Sequence, residues 1–441
     1  MNKVIKLYDV LLFILFFIIL FFMKNIFSVF LFIPLFILIF FISKDIEIKR
    51  FSLFIFIFSF IIRLFSILYL KVSITDDFKT MYVASKSLLR GDFSFLNTFY
   101  FKTFSYQLGH VLYQAFFLNI INSVTFLKLI NVLISSLIVL FIYLISRNLF
   151  NEKIARIVSL TYTFYLYPIY LDSVLTNQHL PALIVLIVIY LLIKKEINYK
   201  LVIIIGILLG IANIFRTESI IIIMGIIIYF ICNNTSYKNT FIKICLLLVS
   251  YFIFNLGING IIYLSLGTTL SNNAPSWKFY CGLNYKYNGI YNTEDQDIYF
   301  NSKNKDKLVL DRVKEENIKL PVLFLKKEVI LCSQTNYDLR INNKINPDIY
   351  KFLLYFNQGC LNLIIILFII SLFPKNKYNN KLLLIKIIIG LYYFIYMFIE
   401  ISPRYSYILH ILIMLIIGIS IDKILKIKQV DWWSEPHFGH F

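Results

Sequence analysis

Residues 74–92 read ITDDFKTMYVASKSLLRGD, and they follow an apolar run at 51–70 that is long enough to span a membrane. Two adjacent carboxylates, Asp76 and Asp77, therefore stand where a transmembrane helix meets water. Charge is costly at such a position, so an ionisable residue there is a candidate for function. The alternative is that Asp76 only caps the following helix, by accepting hydrogen bonds from backbone N–H groups. This stretch by itself leaves both explanations open.

The composition of the whole chain is that of a polytopic membrane protein. Of its 441 residues, 59% are hydrophobic and 15% are charged. Soluble domains are about half apolar and about a quarter charged. The formal net charge of +19 comes from basic residues that fall mainly in short loops between apolar runs. This distribution indicates membrane topology and argues against a nucleic-acid partner.

Apolar runs of about 20 residues predict an all-α fold with about twelve transmembrane helices. The turn at 44–50 is basic and is predicted to be cytoplasmic, which places residues 74–92 on the outer face and both termini inside. A first outer loop is predicted at 71–123, with an amphipathic helix at 106–121 lying in the membrane interface. The predicted spans lie near 7–23, 27–43, 51–70, 125–146, 154–171, 179–193, 200–214, 217–232, 241–265, 350–373, 382–399 and 404–422.

The spans and the polar segments divide the chain into predicted parts. An N-terminal transmembrane core occupies 1–265, and C-terminal transmembrane helices occupy 348–428. Residues 266–347 between them are too long and too diverse for a simple linker, so they predict a small extracytoplasmic loop domain. The tail at 429–441 breaks the composition of the chain and resembles a streptavidin-binding tag, so it is set aside as an appended segment.

Polar residues gather at the predicted outer ends of the spans. Arginine is suited to gripping phosphate through two hydrogen bonds, and a nearby carboxylate can accept a proton. Their convergence on one face predicts a membrane-surface cavity for group transfer from a phosphate-linked donor. The four groups are Asp76 with Asp77, the turn at 172–179, Arg216 with Glu218, and Glu400 with Arg404 and Tyr405.

Structural roles are the alternative for several of these residues. Arg216 with Glu218, and Arg404 with Glu400, could be ion pairs that only satisfy each other near the interface. Asp172 could cap the outer end of its helix, and this role is favoured over catalysis.

The sequence predicts no metal site. His110 and His179 lack a carboxylate at coordinating spacing, and packed or interfacial roles are favoured for both. The five cysteines show no metal-ligand spacing, although Cys281 and Cys332 share the large polar loop and could form a disulfide.

Several segments of the chain carry motifs that occur together in one family. They are Asp77 with Tyr82, Ala84 and the Leu-Leu-Arg-Gly sequence at 88–91, then the inner loop at 147–156, the glycine-containing run at 206–218, and Pro403-Arg404-Tyr405. Together these segments resemble the GT-C superfamily of membrane glycosyltransferases, which includes protein O-mannosyltransferases and the aminoarabinose transferases of lipid A. Two departures are that Thr217 stands where the family usually has proline, and that Asp76 competes with Asp77 for the role of the family's single aspartate.

The resemblance implies inverting transfer of a sugar from a polyprenyl-phosphate donor to a cell-envelope acceptor on the outer face. The acceptor would be a wall polymer, a glycolipid or a protein, and membrane lipids would surround the site. Asp77 or Asp76 would accept the proton, while Arg216 and Arg404 would bind the donor phosphate. Some members of the superfamily use a divalent ion, so that cofactor stays open. The substrate-binding candidates are Tyr82, Gln107, His110, Asp172, Glu218 and Tyr405.

Other functions remain as alternatives. A polymerase of lipid-linked glycans would also use lipid-linked donors on this face. A flippase or transporter would be expected to carry charge or broken helices near the middle of the membrane, and neither is evident in the sequence. A scaffold without catalytic activity would not need four polar groups to converge on one face. The sequence also has no glycine-rich phosphate loop for a nucleotide sugar, which favours a lipid-linked donor.

Overall fold

The computed structural model describes residues 2–45, 48–70, 72–233, 236–335, 345–373 and 380–427. These residues form α-helices and short 3-10 turns, with an isolated parallel bridge between Ile290 and Ile401. The predicted all-α fold is therefore confirmed. The tail predicted at 429–441 lies outside the described residues. In chain order the helices are α1 (Asn2–Phe21), α2 (Val29–Asp45), α3 (Phe51–Tyr69), α4 (Asp76–Leu89), α5 (Phe99–Thr103), α6 (Leu108–Ile120), α7 (Val124–Leu149), α8 (Glu152–Thr163), α9 (Leu166–Ser173), α10 (His179–Lys194), α11 (Tyr199–Phe215), α12 (Ser219–Cys232), α13 (Tyr237–Leu266), α14 (Trp277–Gly282), α15 (Thr293–Asn301), α16 (Lys305–Glu316), α17 (Leu320–Ser333), α18 (Pro347–Ser371), α19 (Asn380–Phe398), α20 (Tyr407–Ile416) and α21 (Gly418–Ile427).

The chain is a polytopic membrane protein, as its composition predicts. Within the described residues, seven helical segments are long and apolar enough to cross a membrane, and further apolar helices are shorter. The exact number of spans, their orientation and the division into domains stay predictions. The long segments are Ile26–Ser43, Phe51–Tyr69, Val124–Leu149, Tyr237–Leu266, Pro347–Ser371, Asn380–Phe398 and Pro403–Lys426, and the shorter ones are Leu7–Phe21, His179–Lys194, Tyr199–Phe215 and Ser219–Cys232.

One predicted span, 154–171, is broken into the two helices α8 and α9. Pro168 lies in the first turn of α9, where its missing N–H leaves no hydrogen bond unmade. In a continuous helix its ring would clash with the carbonyl group of Phe164. The prediction of one continuous span at 154–171 was therefore wrong, and Pro168, three residues before the end of that run, is the signal for the break.

The end of α4 explains the Leu-Leu-Arg-Gly sequence at 88–91. Gly91 has a φ of +73°, and its N–H donates to the carbonyl of Leu88 at 3.1 Å. The N–H of Asp92 donates to the carbonyl of Ser87 at 3.0 Å. This is the pattern of a Schellman motif, in which a left-handed residue, usually glycine, follows the helix. The motif fixes the length of the helix that begins at the aspartate pair.

The transmembrane core is held by close helix packing and by a buried ion pair. α7 packs against α3, α8 and α10, and α11 packs along α13. A Cβ at Gly206 would lie 2.0 Å from the hydroxyl oxygen of Ser250, so glycine permits the α11–α13 approach. At the other end of the chain, Lys386 of α19 lies 2.9 Å from both carboxylate oxygens of Asp9 in α1. The first helix is thereby fixed to the body of the protein.

Candidate active site

Asp77 lies in the first turn of α4, directly after the left-handed residue Asp76, whose φ is +52°. Its Oδ2 atom accepts a hydrogen bond from Nη2 of Arg404 at 2.7 Å. Arg404 belongs to the 3-10 turn Pro403–Ser406, which precedes α20. An aspartate tolerates the left-handed region better than most residues, and at position 76 it turns the chain into the helix. The structure thus brings a predicted base and a predicted phosphate ligand into contact.

The same contact corrects one sequence-based alternative. Arg404 was considered as a structural partner of Glu400, but among the described ion pairs its carboxylate partner is Asp77. The carboxylate of Glu400 instead lies 3.5 Å from the hydroxyl of Tyr405.

Arg216 connects the turn between α11 and α12 to the turn before α10. Its Nε donates to Glu218 at 3.0 Å, as expected for an ion pair, and its Nη1 donates to Oδ1 of Asn177 at 3.3 Å. The hydroxyl of Tyr396 also donates to Glu218, at 2.9 Å, and Asn177 donates to Gln107 at 3.2 Å. These contacts fix the position of the Arg216 guanidinium group between the two turns.

The ring of Tyr405 is surrounded by three cations. The guanidinium carbons of Arg216 and Arg404 lie 5.3 and 5.6 Å from the ring centroid, and the ammonium nitrogen of Lys278 lies 5.9 Å from it. Cations at these distances are attracted by the face of an aromatic ring. Tyr405 therefore gathers positive charge around one point, which suits the binding of an anion.

Lys278 was not among the residues predicted from the sequence, and it lies in α14 within the polar segment at 266–347. Burial works against its charge, but Tyr106, Tyr405 and Glu400 favour the charge more strongly and raise the pKa of Lys278. Burial also raises the pKa of Glu400. The positive charges of Lys278 and Arg404 offset part of this rise. Nothing in the local sequence marks this lysine, because its role depends on how α14 docks.

Two neighbouring cavities share a wall formed by Asp77, Phe78, Tyr106, Gln107, Lys278, Arg404 and Tyr405. The first, which we call the arginine cavity, has a volume of about 150 Å³ and adds Arg216, Glu218 and the aliphatic residues Ile220, Ile221, Ile395 and Ile399. The second, which we call the aromatic cavity, has a volume of about 600 Å³ and adds Asp76, Glu400 and many aromatic rings. Asp77 borders both cavities, whereas Asp76 borders only the second.

Three contacts fix α14 against the turn that carries Glu400. The ammonium group of the fully buried Lys327 donates to the carbonyls of Gly282, Met397 and Ile399 at 2.7–2.8 Å. A Cβ at Gly282 would lie 2.2 Å from the carbonyl carbon of Ile399, so only glycine fits there. The backbone N–H of Glu400 donates to the carbonyl of Lys278 at 2.6 Å.

Asp172 does not border these cavities. It is fully buried in α9, with His179 Nε2 at 2.9 Å and Arg63 Nε at 3.7 Å. Asp172 lies in the last turn of α9, where the free backbone groups are carbonyls and a carboxylate is unfavourable. The capping alternative therefore does not apply. Arg63 was missed, although an arginine inside the apolar run at 51–70 was a visible signal. His179 in turn contacts the hydroxyl of Tyr407 at 2.7 Å.

Two further substrate-binding candidates also lie away from the cavities. The Nε2 atom of buried His110 lies 3.2 Å from the carbonyl oxygen of Leu175, in agreement with the packed role. Tyr82 packs beside Leu118, Leu127 and Leu175. Of the remaining candidates, Gln107, Glu218 and Tyr405 do border the arginine cavity.

No candidate metal cluster is formed by the residues that the structure describes. Cys281 and Cys332 are free and buried, so the disulfide considered from the sequence is not formed. The thiol of Cys281 donates to the carbonyl of Ile290 at 3.3 Å, and Cys332 Sγ lies 2.7 Å from the hydroxyl of Tyr393.

A family model described as dolichyl-phosphate-mannose-protein mannosyltransferase matches residues 109–257. No curated protein sequence matches the chain. The family match confirms the resemblance to GT-C glycosyltransferases and supports a glycosyltransferase that uses a lipid-linked sugar donor. The matched segment contains Arg216 and Glu218, while Asp77, Lys278 and Arg404 lie outside it.

Proposed function

We propose that the protein is an inverting glycosyltransferase that moves a sugar from a polyprenyl-phosphate donor to a cell-envelope acceptor on the outer face of the membrane. The observation that carries this proposal is the position of Asp77 between two cavities, in contact with Arg404. One cavity offers cations to a phosphate, and the other offers room for an acceptor. Asp77, at the wall that the two cavities share, is therefore within reach of both the donor and the acceptor.

The reaction assigns one role to each side of this wall. The acceptor hydroxyl oxygen attacks the anomeric carbon of the donor sugar and forms the new glycosidic bond. The bond between that carbon and the phosphate oxygen breaks, and its electron pair leaves with the polyprenyl phosphate. Asp77 accepts the proton of the acceptor hydroxyl. Arg216, Arg404 and Lys278 stabilise the charge that develops on the leaving phosphate.

The arginine cavity also suits the lipid part of the donor. Its lining combines the cations Arg216 and Arg404 with isoleucines of α12 and α19. One of these, Ile220, is 51% exposed, so an apolar side chain of the lining also reaches the outer surface of the helices. A phosphate bound by the arginines would leave the first isoprene units beside these isoleucines, where hydrocarbon contact is favourable.

The test is sugar transfer by the purified protein from a panel of polyprenyl-phosphate sugars, with Asp77→Asn beside the wild type. We expect wild-type protein to release polyprenyl phosphate and the variant to lose this activity while retaining its fold. If no donor is turned over, and the protein in liposomes moves lipid-linked glycans without ATP, the transporter alternative replaces this proposal. The break between α8 and α9 makes this second assay a necessary control.

A further inference from the structure

We propose that the aromatic cavity binds a saccharide acceptor, rather than a peptide or a lipid chain. This inference rests on the proposed function and adds the chemical class of its second substrate. The volume of about 600 Å³ lies within the range of about 300–1,000 Å³ that is usual for small-molecule sites. The cavity therefore has room for more than the single side chain that a protein acceptor would insert.

Two tyrosine hydroxyls give the first independent support. Tyr100 and Tyr167 both line the aromatic cavity, and their hydroxyl oxygens are buried with no hydrogen-bond partner. Tyr167 is fully buried, and burial raises the pKa of Tyr100, which keeps its hydroxyl protonated. Buried polar groups are rarely left without partners, and such exceptions call for an explanation. A saccharide supplies hydroxyl groups that donate and accept, which is what two protonated phenols require.

The cavity walls combine aromatic rings with amides. Trp277, Tyr291 and Phe300 form a contiguous group, with the Trp277 centroid 6.3 Å from that of Tyr291 and 5.5 Å from that of Phe300. The faces of aromatic rings are negative, so they attract the weakly positive C–H groups on the face of a sugar ring. Gln107 and Gln296 lie on the same walls and add amide donors and acceptors. This mixture matches a ligand with one apolar face and a polar edge.

The same walls disfavour a lipid chain. Asp76 and Glu400 border the aromatic cavity and not the arginine cavity, and a hydrocarbon chain would cover these carboxylates without replacing their water. Both cavities have aliphatic residues, which are Leu171, Val174, Ile290 and Ile401 in the aromatic cavity and Ile220, Ile221, Ile395 and Ile399 in the arginine cavity. The aromatic cavity differs by its two additional carboxylates and its aromatic rings, and these favour a saccharide over a lipid chain.

The class of acceptor can be tested without knowing its identity. Cell-envelope material is offered to the purified full-length protein with a radiolabelled polyprenyl-phosphate sugar. Portions of the material are treated beforehand with periodate, which destroys vicinal diols, or with a broad-specificity protease. We expect periodate to abolish labelling and the protease to leave it intact. Organic extraction of the product then distinguishes a glycolipid from a wall polymer, since either would carry the saccharide.

Tyrosine variants test the site itself. Tyr100→Phe and Tyr167→Phe each remove a hydroxyl that has no partner in the folded chain, so folding is retained. Loss of one hydrogen bond to the acceptor should raise the acceptor KM about five- to tenfold and leave the donor KM unchanged. The matched control is Tyr113→Phe, because its buried hydroxyl also lacks a partner but lies outside both cavities.

The outcomes separate this inference from the function on which it rests. Labelling that survives periodate and is lost after protease treatment would show a peptide acceptor and overturn the inference, while donor turnover would still support the glycosyltransferase. Unchanged acceptor KM values in both phenylalanine variants would also overturn it. Absence of turnover with every donor would remove the proposed function and, with it, the saccharide site.

Discussion

Asp77 and Arg404 are separated by 327 positions in the sequence, yet the Oδ2 and Nη2 atoms of their side chains lie 2.7 Å apart. The pair joins the start of α4 to the turn before α20. A charge-assisted hydrogen bond of this kind orients both groups. The carboxylate therefore has a fixed position at the wall between the two cavities.

Replacing Asp77 by asparagine should lower the rate of transfer by about 10²–10⁴-fold, because a general base is lost. The amide oxygen can still accept the hydrogen bond from Arg404, so the turn should keep its position. Asp76→Asn should have a much smaller effect, since Asp76 does not border the arginine cavity. Single-turnover rates at saturating donor measure both. A larger loss in Asp76→Asn than in Asp77→Asn would assign the base to Asp76.

Arg216→Ala should weaken binding of the lipid-phosphate donor by about 10- to 100-fold, as expected for loss of a charged hydrogen-bond donor. Glu218 keeps the hydroxyl of Tyr396 as a partner, which limits the structural damage. Arg147→Ala is the control, because Arg147 is 57% exposed and pairs with Glu152 at the end of α7. Equal donor affinities in the two variants would remove Arg216 from phosphate binding.

The donor KM should fall as the pH is lowered through the raised pKa of the Glu400 carboxyl. The pKa of Glu400 is raised by burial, so this carboxyl gains its proton at a higher pH than a free glutamate does. Once neutral, it no longer competes with the donor phosphate for Lys278 and Arg404. Glu400→Gln should show the low KM at every pH and a flat profile. An unchanged pH dependence in that variant would exclude Glu400 as its source.

Gly282→Ala should displace α14, because the added methyl group would meet the backbone at Ile399. Lys278 would move away from the shared cavity wall, so the donor KM should rise. We expect the free energy of unfolding to fall by about 1–3 kcal/mol, as is usual for overpacking. Gly260→Ala is the matched control, since a Cβ there meets no atom within 4 Å. Equal activity of the two variants would contradict the docking role.

Breaking the buried pair of Asp9 and Lys386 should destabilise the protein. Asp9→Asn or Lys386→Met alone leaves one charge without its partner, which costs about 3–5 kcal/mol at a buried site. The double variant should recover part of this loss, because neither charge remains. Unfolding in detergent micelles measures all three free energies. Additive losses in the double variant would show that the two residues act independently.

Much of this architecture follows from local patterns in the sequence. Apolar runs predict the long helices, and the polar groups at 76–77, 215–218 and 400–405 do meet in the structure. These patterns are readable because membrane-spanning length and interfacial charge are properties of short segments. The proline that divides 154–171 was equally local and could have been used.

The remaining site residues depend on contacts between distant segments. Lys278 and Lys327 lie in a polar segment where lysines are common, so their type gives no signal. Their importance comes from burial, and burial follows from how α14 and α17 pack against the turn at 399–401. Asp172 is the converse case: the sequence predicted it as a substrate-binding residue, but packing places it against Arg63 and away from the cavities.

The pair of Asp9 and Lys386 has a consequence for the order in which the chain is made. Asp9 emerges from the ribosome with the first helix, and its partner follows 377 residues later. At about 5–20 residues per second, the delay is roughly 20–75 seconds. During that time an apolar helix carries a carboxylate that has not yet met its lysine. The first helix must therefore wait beside the insertion machinery, or shift its aspartate to the membrane surface, until the penultimate long helix arrives.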